Sequence, residues 1–342
     1  MIRVTTNGTL HNYRSHLMRS ANNQQKAFTS VLTQRQFNSY AEDPAAATQA
    51  FRMRSARASA GQQIYNNKAV TGKFSTAWSI IDGIKNDIAD EMGKIPALEG
   101  SSDTNLSVLK ELGQVLKAGA KSIVQDMNGK YGDNFIFGGA DTLNVPFKLD
   151  ANGVLTYRGK NVNEIGQPNG PTYAEVNDQL NVDLGLGFKE VNGQLVSSSA
   201  YDSALNGLDF LGYGKDQEGL PNNIVSVMWE LGEAFEGYDL ETNTWKNPGG
   251  REHAQKLVGK LEEASDAMIR AHTELSSETT YLKTNLTRLE ETSDNLNTQI
   301  TGLEDIDPAE AIMSLVWAQQ CYNAALKVGT NIISQSLLDY MN

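Results

Sequence analysis

Apolar residues at intervals of seven form the strongest pattern in the chain. Over residues 254–303 one register is apolar at every repeat, which predicts a single long helix with a coiled-coil core. The neighbouring core register contains small or polar residues such as Ser265, His272 and Thr279, so we expect it to pack against longer side chains of another helix. The apolar register consists of Leu261, Met268, Leu275, Leu282, Leu289, Leu296 and Leu303.

Two further helices are predicted before residue 140. Asp43 is a typical N-cap and Pro44 suits the first helical position, after which apolar residues recur every three or four positions to about residue 95. The next helix is predicted to begin near Asp103 and to end at the stop signal Asn128-Gly129. The short connection favours antiparallel packing of these two helices.

Both ends of the chain carry helical patterns. The last helix is predicted to begin after the N-cap Asp307, whereas the amino-terminal stripe of apolar residues is diluted by Asn, Gln and Ser. Neither end has enough apolar surface to fold alone, so we expect both to become helical when they pack in an assembly. The predicted apolar face of the last helix includes Leu315, Tyr322, Leu326, Ile333 and Leu337.

Glycine marks a different kind of structure in the middle of the chain. Residues 138–250 hold 17 of the 30 glycines, a density that long helices do not tolerate. Turn signals at residues 150–153 and at Asn192-Gly193 are flanked by short apolar runs, which predicts two β-hairpins. The alternation of Val182, Leu184, Leu186 and Phe188 predicts one further half-buried strand.

These patterns predict a mainly α fold. A long-helix coiled-coil bundle is formed by the amino- and carboxyl-terminal segments, and a β-rich domain is inserted between them. We expect a terminal coiled-coil domain of residues 1–43 with 304–342, and a helical bundle of residues 44–140 with 216–303. The β-rich insert is expected to span residues 141–215.

The charge of the chain is unevenly distributed. The net charge of the 342 residues is −12, but residues 1–81 carry ten basic and two acidic residues, which is +8 and leaves −20 for the remainder. The basic residues are spaced among polar ones, so we predict no nucleic-acid partner and expect attraction to acidic segments of the same or a neighbouring chain. No run approaches the ~18 apolar residues of a spanning helix, so no membrane partner is predicted.

Candidate chemistry is weak throughout the sequence. His11 and His16 stand five positions apart, which does not place both on one helical face, and no H-E-x-x-H pair occurs. The glycine pairs lack the spacing of phosphate- or dinucleotide-binding loops. Cys321, the single cysteine, falls in the apolar last helix, which favours a packing role. We therefore predict no catalytic, cofactor-binding or metal-binding residues and no enzyme activity.

One segment is distinctive enough to suggest a family. Residues 128–139 read NGKYGDNFIFGG, and residues 42–47 read EDPAAA before the first long helix. Together with RVTTN at residues 3–7, these segments resemble the flagellin superfamily and, within it, the hook-associated protein 3 family of the hook-filament junction. The matching residues are Asp43, Pro44, Tyr131, Phe135, Ile136, Phe137, Gly138, Gly139, Pro146 and Phe147.

The resemblance implies a structural protein of the bacterial flagellum. Members of the family pass through the flagellar type III channel with an export chaperone and reach the extracellular flagellum. There they self-assemble with neighbouring subunits, between an adjacent hook-associated protein and flagellin. The terminal segments would line the inner tube and the β-rich insert would face outward.

The sequence departs from this family at residues 33–37, TQRQF. Members usually have a Ser-Gly-Lys-Arg-like turn there, in which glycine adopts a left-handed conformation freely. Gln34 stands in place of that glycine.

Three alternatives remain open at this stage. A flagellin, the bulk filament subunit, shares the helices but usually has a different run in place of residues 131–139. A surface adhesin or enzyme would carry its activity in the insert, although residues 141–220 contain no histidine. An unrelated coiled-coil protein would share only the heptads.

Overall fold

The computed structural model describes residues 6–95, 108–187, 189–191, 194–196, 199–239, 242, 244–246 and 249–341. The chain divides into two compact units. Unit 1 comprises Met1–Gly61 with Glu290–Asn342, and unit 2 comprises Gln62–Leu289. Each unit therefore contains segments from both helical halves of the sequence.

Helices dominate the described residues, as the sequence predicts. The structure confirms a mainly α fold with a β-rich insert, and the heptad segment lies within one continuous helix of 55 residues. The helix near Asp103 is described only from Leu109 onward, because residues 96–107 lie outside the described part. The helices are α1 (Thr6–Thr33), α2 (Pro44–Met92), α3 (Leu109–Met127), α4 (Leu208–Leu211), α5 (Ile224–Glu236), α6 (Gly250–Glu304) and α7 (Pro308–Met341).

The strands are short and form small antiparallel sheets. Both predicted hairpins are confirmed, as β3 pairs with β4 and β7 with β8, and β5 joins β4. Three further pairs are β1 with β2, β6 with β9 and β10 with β11. The strands are β1 (Lys130–Tyr131), β2 (Asn134–Phe135), β3 (Phe147–Leu149), β4 (Leu155–Tyr157), β5 (Lys160–Asn161), β6 (Asn181–Val182), β7 (Glu190–Val191), β8 (Gln194–Leu195), β9 (Tyr201–Asp202), β10 (Tyr238–Asp239) and β11 (Thr244–Trp245).

The strand predicted from Val182 to Phe188 is wrong. Strand β6 ends at Val182, and the chain turns because Gly185 and Gly187 adopt φ angles of +75° and +80°. Such left-handed conformations are incompatible with an extended strand, and glycine adopts them at little cost. Phe188 itself lies outside the described residues.

Unit 2 is built on antiparallel helices that share one apolar core. The Trp78 ring of α2 stacks on the His272 ring of α6 with 5.0 Å between ring centroids, and the heptad leucines of α6 join the α2 isoleucines in the core. The five heptad residues in this unit are buried, so this side of α6 faces the core of unit 2. They are Leu261, Met268, Leu275, Leu282 and Leu289.

Helix α3 packs between α2 and α5. A side chain at Gly119 would meet the Glu91 carboxylate of α2, and one at Gly129, just after α3, would meet Ile80 of α2, so the two helices run antiparallel as predicted. On its other side, a Cβ at Gly113 would lie 2.6 Å from the carbonyl oxygen of Gly232 in α5. The α3 and α5 backbones approach closely because neither glycine carries a side chain.

Unit 1 contains α1, α7 and the ends of α2 and α6. The predicted cap of α2 is confirmed, since the Asp43 carboxylate accepts the Ala46 amide at 2.9 Å. The connection before it is tied to the end of α6, because the Gln36 amide donates to the Glu304 carbonyl at 2.7 Å. Gln34 adopts φ +54°, a left-handed conformation that glycine adopts more freely than residues with a side chain.

Candidate assembly surfaces and the family motif

Helices α1 and α7 pack together along one seam. On α1 the seam residues follow the 4-3 spacing of a heptad, as do those of α7, and Tyr13 lies against Gly329 so closely that no Cβ would fit there. These residues are buried or half-buried. The seam contains Tyr13, Leu17, Ser20, Gln24, Ala27 and Val31 of α1, and Ala311, Leu315, Ala318, Tyr322, Ala325 and Gly329 of α7.

Helix α7 has a second apolar side, which is largely exposed in the described part of unit 1. At about 100° per residue, several of its exposed apolar residues lie on the side away from the α1 seam, whereas exposed Ile312 and Leu326 flank the seam. Trp317 is 69% exposed and Met313 is 59% exposed, both large values for such side chains. We call this side the open α7 face; it contains Met313, Val316, Trp317, Ala324 and Val328.

Helix α1 likewise has a second seam. Its residues again follow the 4-3 spacing, one position along from the residues that face α7, so the two seams lie about 100° apart. Leu32 is 67% exposed and Met18 is 63% exposed. We call it the open α1 seam; it contains Arg14, Met18, Ala21, Gln25, Phe28 and Leu32, and exposed Leu10 extends it by one turn.

The residues predicted to form the assembly core occupy different positions in unit 1. Leu315 and Tyr322 lie in the seam with α1, whereas Leu326 flanks that seam and is 40% exposed. Leu296 and Leu303, the last two heptad residues of α6, are half-buried. Ile333 and Leu337 are helical, but their side chains lie outside the described residues.

The family motif turns the chain from α3 into the insert. Strands β1 and β2 form a tight hairpin whose turn contains Gly132 at φ +61°. Tyr131 is partly exposed and its ring lies over Gly72 of α2, where a side chain would collide with the phenol oxygen. The glycine at position 72 and the tyrosine at position 131 therefore fit each other.

The second half of the motif is buried. Phe135, Ile136 and Phe137 lie in the core of unit 2, and the Phe137 ring meets Phe210 edge-on at 5.6 Å between centroids. The Phe137 carbonyl accepts the Gly207 amide at 3.0 Å. These residues have a structural role in joining the helices to the insert.

Two glycines complete the motif. A Cβ at Gly138 would collide with the Asp141 carbonyl, and Gly139 adopts φ +68° while its amide donates to the Leu205 carbonyl at 3.0 Å. The backbone therefore requires glycine at position 138 for space and favours it at position 139 for conformation.

The insert begins at Pro146 and Phe147. The Phe147 side chain is buried, and its backbone is held by the Asn128 side chain at the end of α3. Asn128 Nδ2 donates to the Phe147 carbonyl at 2.9 Å, and Asn128 Oδ1 accepts the Phe147 amide at 3.0 Å. This pair of bonds fixes the direction in which β3 leaves the helical bundle.

A loop of the insert is held between α2 and α6, a feature that the sequence did not indicate. Asn66 Nδ2 of α2 donates to the Asp183 carbonyl at 3.2 Å, and Asn285 Nδ2 of α6 donates to the Leu184 carbonyl at 3.0 Å. Leu184 is fully buried, and a Cβ at Gly185 would meet Leu289. We call residues 183–187 the clamp loop.

Charged groups are also buried in unit 2. Burial raises the pKa of the Glu91 carboxyl to about 7, because its charged form loses water contacts beside Gly119. Burial also lowers the pKa of His272, which stacks on Trp78 with Nε2 3.9 Å from the Asp82 carboxylate. No group of three or more metal-ligating side chains occurs in the part of the chain that the structure describes.

Comparisons with known proteins give a family match in the carboxyl-terminal part of the chain. The Bacterial flagellin C-terminal helical region matches residues 258–341, which form most of α6 and all of α7. This chain carries a flagellin-type carboxyl-terminal region. The predicted resemblance to the flagellin superfamily is thereby confirmed for that part of the sequence. None of the described helices is long and apolar enough to span a membrane, and no curated protein matches the chain.

Solved structures share the architecture around the flagellin-type region. A protein from Vibrio parahaemolyticus described as a flagellar hook-associated protein is 15% identical, with a TM-score of 0.55 over 77% of this chain and 100% of that one. Xanthomonas campestris FlgL is 13% identical over 72% of this chain and 99% of its own, with a TM-score of 0.49. Bacillus cereus FlgL is 16% identical over 73% and 99%, with a TM-score of 0.47. At these identities, the first likeness shows the shared fold.

Proposed function

We propose that this chain is a structural subunit of the bacterial flagellum that polymerises at the hook-filament junction. It acts as an adapter and performs no catalysis. The main observation that supports this proposal is that the flagellin-type region ends in α7, a helix with apolar residues on two opposite sides. One side packs on α1, and the other requires a further protein surface.

The sparse core of unit 1 supports polymerisation. Among its described side chains, the buried apolar ones are four alanines and a single larger residue, Ile300. So small a core contributes little stability by itself, because hydrophobic stabilisation scales with the apolar area removed from water. Packing against neighbouring copies supplies the missing burial.

The family motif favours the junction over the bulk filament. Residues 131–139 and the Pro146-Phe147 pair have defined packing roles in unit 2, and this run resembles junction proteins more closely than flagellins. The partners are neighbouring copies, an adjacent hook-associated protein and flagellin. The subunit reaches the extracellular flagellum by type III export with an export chaperone, and one cysteine means that no internal disulfide has to be reduced for threading.

The test is to label flagella with an antibody raised against the β-rich insert, using cells that produce the chain. Electron microscopy should show one narrow band of label where hook meets filament. Cells in which the coding sequence is deleted provide the control for antibody specificity.

Two other results would contradict the proposal. Label along the whole filament would identify a bulk flagellin. Flagella that remain unlabelled, while the chain is detected in the culture medium, would remove the flagellar assignment and leave only the shared fold.

A further inference from the structure

We propose that Asn152-Gly153, at the tip of the hairpin formed by β3 and β4, is a site of spontaneous deamidation, and that its isoaspartate product releases the tip from Trp229. An asparagine followed by glycine is prone to this reaction, because glycine places no side chain in the way of the attacking backbone nitrogen. The modification requires neither a partner nor an enzyme, so it goes beyond the proposed structural role.

The reaction is a balanced hydrolysis. The Gly153 backbone nitrogen attacks the side-chain carbonyl carbon of Asn152, its N–H proton passes to solvent, and the side-chain amide nitrogen leaves as ammonia. Water then opens the resulting succinimide ring at one of its two carbonyls. Opening at the side-chain carbonyl gives aspartate, whereas opening at the main-chain carbonyl gives isoaspartate, in which the backbone runs through Cβ and Cγ. Neither route uses an oxidant or a reductant.

The sequence contains six Asn-Gly pairs, and the structure distinguishes among them. For Asn7 the side chain, and for Asn192-Gly193 both residues, lie outside the described part of the chain. The four pairs whose side chains are described are Asn128-Gly129, Asn152-Gly153, Asn169-Gly170 and Asn206-Gly207.

Two of these four pairs begin with a side chain that the fold holds. Asn128 Nδ2 donates to the Phe147 carbonyl at 2.9 Å, and Asn128 Oδ1 accepts the Phe147 amide at 3.0 Å. Asn206 is buried, and its Oδ1 accepts the Leu208 amide at 3.1 Å. Each side chain must break these bonds before its carbonyl carbon can reach the next nitrogen, so both pairs should be protected.

The Asn152 side chain is free to rotate. It is exposed at the hairpin tip and bonds to no residue in the described part of the chain. The turn is held through its backbone, since the Asn152 and Val154 amides donate to the Asp150 carboxylate at 2.9 and 2.7 Å. The attacking nitrogen, that of Gly153, donates to the Asp150 carbonyl at 3.2 Å, which is at the long end of the range for such bonds.

The tip packs on Trp229 too closely for an added atom. A Cβ at Gly153 would lie 2.1 Å from the Trp229 ring, which is itself buried. Trp229 Nε1 donates to the Glu233 carboxylate at 3.1 Å, and the ammonium groups of Lys117 and Lys121 each lie 5.4 Å from the ring centroid. The indole is therefore held in place, and a change in the backbone has to be absorbed by the hairpin.

Isoaspartate lengthens the backbone immediately before this contact. One methylene group enters the main chain between the Cα of residue 152 and Gly153, within a turn that the bonds to Asp150 close on both sides. The added atom displaces Gly153 from its position against Trp229. Aspartate, the other product, adds the same negative charge without lengthening the backbone. Isoaspartate alone should therefore release the tip.

The test is to age the full-length chain for several days in mildly alkaline buffer and to map the Asn-Gly peptides by mass spectrometry. Deamidated Asn152 should accumulate, with isoaspartate identified by labelling with protein isoaspartate methyltransferase. Asn128 and Asn206 should react more than about tenfold more slowly, because reaction proceeds from locally opened states and more contacts must open there. Asn169, which is also exposed and bonds to no described residue, reports the rate of an unprotected pair in the same chain.

Two results of this mapping would overturn the site. One is an Asn152 that stays intact while Asn169 deamidates, which would show that the turn protects it. The other is an Asn128 that reacts as fast as Asn152, which would show that side-chain hydrogen bonds do not select the reactive pair.

The release of the tip is tested with two variants. Hydrogen exchange of the aged wild type should rise in residues 150–157 and in α5 beside Trp229. Asn152→Gln forms the corresponding larger ring far more slowly and should keep its unaged exchange after the same treatment. Asn152→Asp, measured before ageing, supplies the charge on a backbone of normal length and should exchange like the fresh wild type.

Other outcomes would contradict the release. Equal exchange in fresh and aged wild type, at a high fraction of isoaspartate, would show that the hairpin accommodates the added methylene without leaving Trp229. A rise in fresh Asn152→Asp as large as that in the aged wild type would assign the effect to charge rather than to backbone length. Circular dichroism of both variants should match the wild type, which separates a local change from a lost fold.

Discussion

Units 1 and 2 place their apolar side chains in opposite ways. In unit 2 the largest fully buried residues are aromatic or branched, including Phe74, Phe137 and Tyr157, and the insert packs on the same core. In unit 1 the described buried apolar residues are mainly alanines, while Trp317 and Leu32 are exposed. One part of the chain thus buries its large apolar side chains in its own core, and the other leaves many of them exposed.

The difference separates the unit whose burial stabilises a single copy from the unit whose exposed residues are available for assembly. Burial within one copy stabilises unit 2 at any concentration, since no partner is needed. Under the proposed function, burial between copies stabilises unit 1 only when subunits meet, so its stability should depend on concentration through mass action. Substitutions in the two units should therefore affect different measurements.

The largest effect should come from Leu282→Asp in unit 2. Leu282 is fully buried in the α6 core, and an unpaired carboxylate there should cost about 4 kcal/mol or more of unfolding free energy. The matched change Leu296→Asp, at a half-buried heptad position of unit 1, should cost far less. Urea denaturation of the unassembled chains measures both. Equal losses of unfolding free energy would show that heptad positions in the two units contribute equally to the stability of a single copy.

A smaller effect should follow from Gly185→Ala in the clamp loop. Alanine would have to adopt the left-handed φ of position 185, and its Cβ would lie 2.8 Å from the Leu289 side chain. We therefore expect the unfolding free energy to fall by about 2 to 3 kcal/mol. Gly187→Ala is the matched control, because its φ is also positive but nothing lies within 4 Å; it should cost about 1 kcal/mol. Hydrogen exchange should rise in α2 and α6 beside the loop only for Gly185→Ala. Identical behaviour of the two variants would contradict the clamp.

The carboxyl of Glu91 should make the stability of unit 2 depend on pH. Its folded pKa of about 7 lies above its unfolded value near 4.5, so its contribution is fully present below pH 4.5 and is lost as the pH rises through 7. Glu91→Gln should therefore raise the thermal midpoint at pH 8 and have little effect at pH 4. Glu111→Gln, at an exposed position of α3, serves as the control. A constant difference between Glu91→Gln and wild type across this range would refute the assignment.

The smallest expected effect is a gain in unit 1. Gln34→Gly should stabilise the unassembled chain by about 0.5 to 1 kcal/mol, because glycine adopts φ +54° without the strain that a side chain causes. Gln36→Gly, whose φ is not positive, should destabilise it slightly through the added freedom of the unfolded chain. The thermal midpoints of the two variants and the wild type test this prediction. A lower midpoint for Gln34→Gly would show that the Gln34 side chain stabilises the fold by more than its backbone strain destabilises it.

Periodic features could be predicted from the sequence because each depends on neighbouring residues. The heptads of α6, the Asp43 cap and the hairpin around residues 150–153 all follow from local spacing and turn chemistry. The predicted strand after Val182 is wrong because the prediction rests on alternating hydrophobicity, which gives no weight to the two intervening glycines. Both of them adopt left-handed conformations. Local pattern does not reveal backbone conformation at such positions.

Features that join distant residues could not be found in this way. The clamp loop depends on Asn66 and Asn285, which stand more than 100 residues from their carbonyl partners and resemble any exposed amide in the sequence. The two-sided character of α7 could have been seen by plotting all its apolar positions around the helix. The prediction of a single face placed Leu326 with Leu315 and Tyr322, although it flanks their seam.

The two hydrogen bonds between Asn128 and Phe147 have a consequence for how this protein can vary. They close a short loop between the end of α3 and the first strand of the insert, so the direction of that strand is set before the rest of the insert begins. The sequence after β4 returns to the helices through the clamp loop and through the Gly207 amide that donates to the Phe137 carbonyl. In engineering terms, a foreign domain grafted after β4 would inherit the direction set by residues 128–147, and it would leave the bundle intact only where it spares those later contacts.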